Sequence, residues 1–141
     1  MGIVIDNIFL TSADIKRKVQ VPDSVEFNIK YQIQIFNDEK KIHSAVKLSA
    51  NVIEKEERFT ISAEIEGQFH CDENGYPLPI DEFLRVNAPS IIMPYLRENI
   101  SSLATRAGLP RVFLPTVNFR EWYERDKAVP QQKELKQAEL Q

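Results

Sequence analysis

His70 and Cys71 stand side by side and His43 lies elsewhere in the chain, so a metal site or a Cys–His nucleophile–base pair is the first chemistry to test. Such chemistry needs both side chains to converge on one point. Neighbouring residues of a strand point to opposite faces, which makes His70 and Cys71 poor co-ligands and gives all three residues a structural reading. The carboxylates Glu54, Glu56, Glu57, Glu64 and Glu66 are the next candidates. Carboxylates that act as general acids or bases are buried or paired with a partner; these read as solvated charges of turns and of a sheet face. No GxGxxG, P-loop, CxxC or HExxH pattern occurs. The chain is therefore expected to be no enzyme and to hold no metal or cofactor.

The apolar residues say more. Phe113, Leu114, Phe119, Trp122 and Tyr123 fall within eleven residues. Any one of them could close a core, but one short helix cannot bury three aromatics unless something wraps around it. A partly exposed aromatic cluster beside a loop suits a peptide-binding groove.

These residues need elements to position them. The first two-thirds of the chain alternates with period two. In "VEFNIKYQIQIF" Val25, Phe27, Ile29, Tyr31, Ile33 and Ile35 are apolar, with polar residues between them. "NDEKK" turns the chain into a second strand, with Ile42, Val46, Leu48, Ala50 and Val52 on one face. "EKEER" turns it into a third, with Phe59, Ile61, Ala63, Ile65 and Phe69 together. Long strands joined by short polar turns make an antiparallel meander with one apolar face. The opening segment, residues 3–21, adds a strand whose connection through Pro22, Asp23 and Ser24 favours a bend over regular pairing.

After the loop "CDENGYPLP" the spacing becomes helical, with Ile92, Leu96, Ile100, Leu103 and Ala107 on one stripe. Gly108 and Pro110 then give a stop. The regular helix is expected from near Ile91 to about Ala107, with Pro94 in its first turn, where N–H groups lack helical partners. A second helix starts at Asn118, with Glu121 placed for a capping box and Val117 and Trp122 for a hydrophobic staple. The reading is one domain over residues 1–130 and a tail, 131–141, of helix formers with few apolar anchors, expected to fray.

A net charge of −3 gives no basic face for nucleic acid. No apolar run approaches the roughly 20 residues of a membrane span, and the start lacks the marks of a signal peptide. A single cysteine excludes an internal disulfide. Together these point to a cytoplasmic protein.

The stretch "NAPSIIMPYLRENISSLATRAGLPRVFLPTVNFREWY" closely resembles the C-terminal half of the SecB family of protein-export chaperones. Pro89, Ile91, Pro94, Tyr95, Arg97, Glu98 and Ile100 match the family's proline-started helix. Arg106, Pro110, Leu114, Val117, Asn118 and Phe119 match the segment after it, with Thr105 in place of a serine. Ile8, Phe9, Asp14 and Ile15 are similar to its opening strand.

The resemblance implies an α+β fold, a four-stranded antiparallel sheet with two helices on one side. It also implies a homotetramer, a dimer of dimers with the long helix between the dimers. Tyr95, Ser101, Ser102, Ala104 and Thr105 are then the expected interface, since small residues let helices approach closely. The implied activity is ATP-independent holding of unfolded polypeptides or preproteins. The implied groove has Val21 and Val25 on one wall, Phe119, Trp122 and Tyr123 on the other, and Phe113 and Leu114 on its floor. The family presents acidic residues to the translocase motor SecA. Here the first is Asp14, the next falls on Lys18 and the last near Ser62, so that contact is expected to be weak. A SecB-like chaperone protecting an antitoxin, and a non-chaperone interaction module on the same fold, are the alternatives.

Overall fold

The computed structural model describes residues 3–38, 42–71, 80–128 and 137–140. Its strands are β1 (Ile3–Arg17), β2 (Phe27–Asn37), β3 (His43–Glu54), β4 (Phe59–Cys71) and β5 (Gln137–Leu140). They form one antiparallel sheet in the order β1-β4-β3-β2-β5. The four expected strands are present, and β1 pairs with the far side of β4 and not with β2, the next strand in sequence. Most of the expected tail, residues 131–136 and 141, lies outside the described residues; within it the backbone of Gln137–Leu140 adds a fifth strand, paired with β2 at Tyr31–Gln34, that the strand pattern did not include.

The alternation seen in the sequence is the burial pattern of the sheet. Val46, Leu48, Ala50 and Val52 of β3 and every second residue from Phe59 to Phe69 of β4 are buried, and the residues alternating with them are partly exposed. β1 obeys no single alternation because it carries irregularities between Ile5 and Asn7 and between Leu10 and Ser12. Each bulge inserts an unpaired residue, Asp6 and then Thr11, and reverses the parity of the residues after it. Ile3, Ile8 and Ile15 can therefore all pack against the core although one of them is even-numbered. Thr11 secures its bulge by donating to the Glu64 carbonyl at 3.1 Å and to Glu64 Oε1 at 2.7 Å.

The turn from β3 to β4 is locked by charge. Glu54 corrects the expectation of a solvated charge: it is buried at 1% exposure and receives Arg58 Nη2 at 2.6 Å, Arg58 Nε at 2.9 Å and the Arg58 backbone N–H at 2.9 Å, a pairing that holds the turn. The Arg58 hydrogen bonds, over the opposing effect of burial, pull the Glu54 carboxyl down to about 2. Glu57 takes the turn's left-handed position at φ 61°.

The helical layer begins earlier than expected. A short α1 (Ile80–Glu82) runs into a π-helical stretch, Phe83–Asn87, and then into α2 (Ala88–Arg106). Pro89, and not Pro94, takes the first-turn place of the regular helix. Pro94 lies inside α2 on its exposed side, where water can serve the carbonyl that its missing N–H leaves free. The sequence signals for the earlier start are Asp81 and Glu82 in a first turn and the Asp81–Arg85 pair, 2.9 Å apart at i,i+4 spacing.

Ile92, Leu96 and Ile100 of α2 are fully buried against β3 and β4, each contributing about 1.5–3 kcal/mol of apolar burial. Gly67 permits this approach: a Cβ there would lie 2.8 Å from Ile92 Cδ1. Ala104 is 2% exposed and belongs to the same stripe, so it is removed from the expected interface set. The reason is spacing, because residue 104 follows Ile100 by four and stays on the sheet side, while Leu103 is half-buried. Tyr95, Ser101 and Thr105 are exposed and Ser102 is intermediate.

α2 ends as the sequence indicates. Gly108 adopts φ 66°, Leu109 N–H donates to the Ala104 carbonyl and Gly108 N–H to the Thr105 carbonyl, both at 3.0 Å. Arg17, at the end of β1, donates to the Ala107 carbonyl at 2.7 Å, a cation at the negative end of the helix.

Candidate functional site

The chain from Leu109 to Asn118 crosses from α2 to α3 (Phe119–Ala128) with Val112 and Leu114 buried beneath it. Asn118 Oδ1 accepts the Glu121 N–H at 3.0 Å, which is the cap that starts α3. Phe119 is 3% exposed and anchors the helix. Ion pairs add to it: Arg120–Glu82 at 2.8 Å and Arg85–Asp126 at 3.9 Å tie α3 to α1 and the π-helical stretch. At the surface such pairs are worth about 0–1 kcal/mol each, so Phe119 carries more of the attachment.

α3 stands beside β2 without closing over it, and a groove of about 590 Å³ remains between them. Phe27, Asn28, Ile29 and Tyr31 of β2 form one wall. Pro115, Thr116, Val117 and Asn118 of the loop, with Glu121 and Trp122 of α3, form the other. Trp122 is half-buried, edge-on to Phe119 with centroids 5.2 Å apart and tilted against Tyr31 at 6.1 Å. Thr116 is fastened by Arg97, whose Nη2 donates to its hydroxyl at 3.3 Å.

Tyr31 is 4% exposed and its hydroxyl is buried without a hydrogen-bond partner. Burial pushes its ionisation up to about 12, against the opposite pull of the Arg97 charge. The groove thus offers aromatic and aliphatic surface, one buried phenol, and a rim of amide and carboxylate. Its chemistry is non-covalent: it can take apolar side chains from water.

The structure brings the expected groove residues together only in part. Trp122 lines the groove, and Phe119 lies beneath it in the core. Leu114 is 2% exposed and is core, not floor. Phe113 is 61% exposed, outside the groove lining, with the Arg111 guanidinium 5.6 Å from its ring centroid. Val21 and Val25 are half-buried against the core beside β2, and Tyr123 is intermediate on α3. None of these last four is among the lining residues. Sequence reasoning missed Phe27, Ile29, Tyr31 and the Pro115–Asn118 segment. The odd-numbered apolar residues at the start of β2 were the available signal, since a strand running past its covering helix leaves such residues open.

The residues that suggested catalysis are apart from the groove. His70 Nδ1 lies 2.8 Å from Asp6 Oδ1, His43 Nδ1 lies 3.2 Å from Asp38 Oδ2, and the imidazole centroids are 5.8 Å apart. Cys71 is buried on the other face. Among the described residues no group of His, Cys, Asp and Glu is arranged to hold a metal ion, and no helix is long and apolar enough to cross a membrane.

Comparison with known proteins agrees with this architecture. The SecB-like chaperone of Mycobacterium tuberculosis, solved in complex with a peptide from the HigA1 antitoxin, superimposes with a TM-score of 0.68 at 17% identity, over 83% of this chain and 88% of that one. That likeness is one of fold. Protein-export protein SecB of Nitrosomonas eutropha is 35% identical over 106 residues, 72% of this chain and 66% of that protein. SecB of Methylobacillus flagellatus is 52% identical over 48 residues, 34% of this chain. The matched stretch spans about a third of the length of several such relatives, 31% and 34% in two of them. Residues 9–130, from β1 through α3, match the family described as preprotein translocase subunit SecB. With the strand order, the proline-started helix and the aromatic-walled groove all in place, the chain belongs to the SecB family.

Proposed function

We propose that the protein is an ATP-independent chaperone that holds unfolded polypeptides for export in the groove between β2 and α3. The observation that carries this is the groove itself, open along the sheet edge and walled by Phe27, Ile29, Tyr31, Val117 and Trp122. Apolar burial is non-directional, so such a surface accepts many sequences and competes with aggregation by mass action on the unfolded chain. No residue set for covalent chemistry is needed.

The test uses Trp122, the chain's only tryptophan. Adding an unfolded client shifts its emission to the blue. Trp122→Ala keeps most of its thermal stability, because the side chain is half-buried, and loses most of its suppression of client aggregation. Emission indifferent to client, or a variant that no longer folds, moves Trp122 from the binding wall to the core and overturns the assignment.

The working form is a homotetramer. Two surfaces support this reading. Tyr95, Ser101 and Thr105 present a mostly small, exposed face of α2. On β1, Ile5 and Leu10 pair with Phe69 and Ile65 on the core side of the sheet, yet remain 48% and 45% exposed. α2 packs on β3 and β4, leaving that stripe for another copy to cover. The outer face of the sheet interleaves Lys30 and Lys47 with Asp14, Glu64 and Glu66, so a partner that reads a uniformly acidic surface, such as SecA, is held weakly.

A further inference from the structure

The outer edge of β2 is shared between a strand and a groove. Gln137–Leu140 takes its middle, in the register Tyr31↔Leu140 to Gln34↔Gln137. The start of the same edge, Phe27–Ile29, is groove wall.

The direction of the main-chain groups is set by the opposite side of the strand. Lys55 N–H donates to the Glu26 carbonyl at 2.8 Å and Asp38 N–H to the His43 carbonyl at 3.1 Å, both in the register of the β2–β3 ladder. Even-numbered residues therefore turn their N–H and C=O toward β3, and odd-numbered residues turn theirs outward. At Tyr31 and Ile33 the outward groups face Leu140 and Ala138. At Phe27 and Ile29 no strand among the described residues pairs with them.

We propose that Gln137–Leu140 is an intramolecular competitor of the client, which is held as a strand added to the outer edge of β2. The inference rests on the holdase reading of the groove and specifies how the groove works. A client strand pairing with Phe27 and Ile29 lies in line with β5 and meets it at Tyr31, so growth of the client toward Ile33 displaces the tail. Main-chain pairing is indifferent to client sequence, while apolar client residues enter the groove. A short strand is easily displaced, yet its tether keeps it at an effective concentration on the order of millimolar. With no client present, the tail covers part of an edge that would otherwise pair with other chains.

The probe is fluorescently labelled, reduced and carboxymethylated α-lactalbumin, which cannot refold, with anisotropy as the readout. Three proteins are compared: the full chain, a form ending at Lys136, and Ala138→Pro. The proline removes the N–H that faces Ile33 while chain length is kept. Both altered forms are expected to bind about three- to tenfold tighter, the equivalent of about one main-chain hydrogen bond. Affinities that are equal or weaker in both overturn the competition and leave the holdase reading standing; a probe that binds none of the three overturns both. A second pair tests the strand itself. Ile29→Pro removes an outward N–H and Ile29→Ala keeps it, so the proline form is expected to lose at least threefold more affinity. Equal losses in two folded variants show that side chains alone hold the client, and overturn strand addition.

Discussion

The two edges of the sheet are unlike. β1 is fifteen residues long and kinked by bulges at Asp6 and Thr11, and its inner face stays open at Ile5 and Leu10. β2 is eleven residues long with an unbroken register, and it borders a groove walled by Trp122 and the Pro115–Asn118 loop. Both carry apolar surface that the chain leaves exposed, but in different forms. On β1 the surface is a narrow stripe fixed in register by the strand, which suits a partner of fixed geometry such as another copy. On β2 it is concave and aromatic, which suits side chains of many shapes. On the proposed reading, self-assembly uses the β1 side of the sheet and client binding the β2 side, so the two do not compete.

The largest expected effect is on the β2 side. Phe119→Ala removes the buried anchor of α3 and is expected to lower stability by about 3–5 kcal/mol in urea unfolding. It should also erase client binding while leaving the β1 edge intact. A loss under about 1 kcal/mol would mean that the ion pairs at Glu82 and Asp126, not the aromatic, hold the groove wall.

On the β1 side, Ala13→Pro removes an N–H that points away from β4. The parity is given by the Lys18 N–H, which donates to the Arg58 carbonyl at 2.8 Å in the same register as Ala13↔Ala63. The variant should fold and hold client, and it should lower the assembly order seen by light scattering. Unchanged mass would remove this edge from the interface and leave the Tyr95–Thr105 face to account for it.

Acid should affect both edges together. The turn at Glu54 and Arg58 touches β2 through Lys55 and Glu26, and β1 through Arg58 and Lys18. The Glu54 carboxyl titrates near 2 when folded and near 4.5 when unfolded. Its stabilising contribution is therefore complete above the unfolded value and fades as pH falls from about 4.5 toward about 2. Glu54→Gln should flatten that part of the stability curve. An unaltered acid limb in the variant would assign the effect to other carboxylates.

The smallest effect is expected at the groove wall. Tyr31→Phe deletes a buried hydroxyl that lacks a partner, so stability should stay within about 1 kcal/mol or rise. A larger loss would indicate that the phenol is hydrogen-bonded in the folded protein.

Much of this is legible in residue order. The period-two runs of β2, β3 and β4, the Gly108 stop and the Asn118 cap depend on neighbours one to five residues apart, and the structure has each of them where the spacing puts it. The helix start is not legible in the same way, because Pro94 mimics the first-turn signal that belongs to Pro89, and a π-helical stretch breaks the spacing before it. β1 resists reading for a similar reason, since two bulges reverse its parity within one strand. A stripe drawn through Leu103 puts Ala104 on the wrong face, because small errors in helical phase accumulate along it.

By itself the sequence determined which residues alternate, where turns and caps fall, and that an aromatic cluster follows the long helix. These are local matters of backbone sterics, capping and hydrophobic period. Only the tertiary structure decided which aromatics remain open. Phe119 and Leu114 are sealed while Trp122 faces Tyr31 across a groove, because α3 docks beside β2 and not over it. The wall residues Phe27, Ile29 and Tyr31 lie more than eighty positions from Pro115 and Trp122. Their meeting is set by the order in which strands pack under a helix, and no local pattern encodes that order.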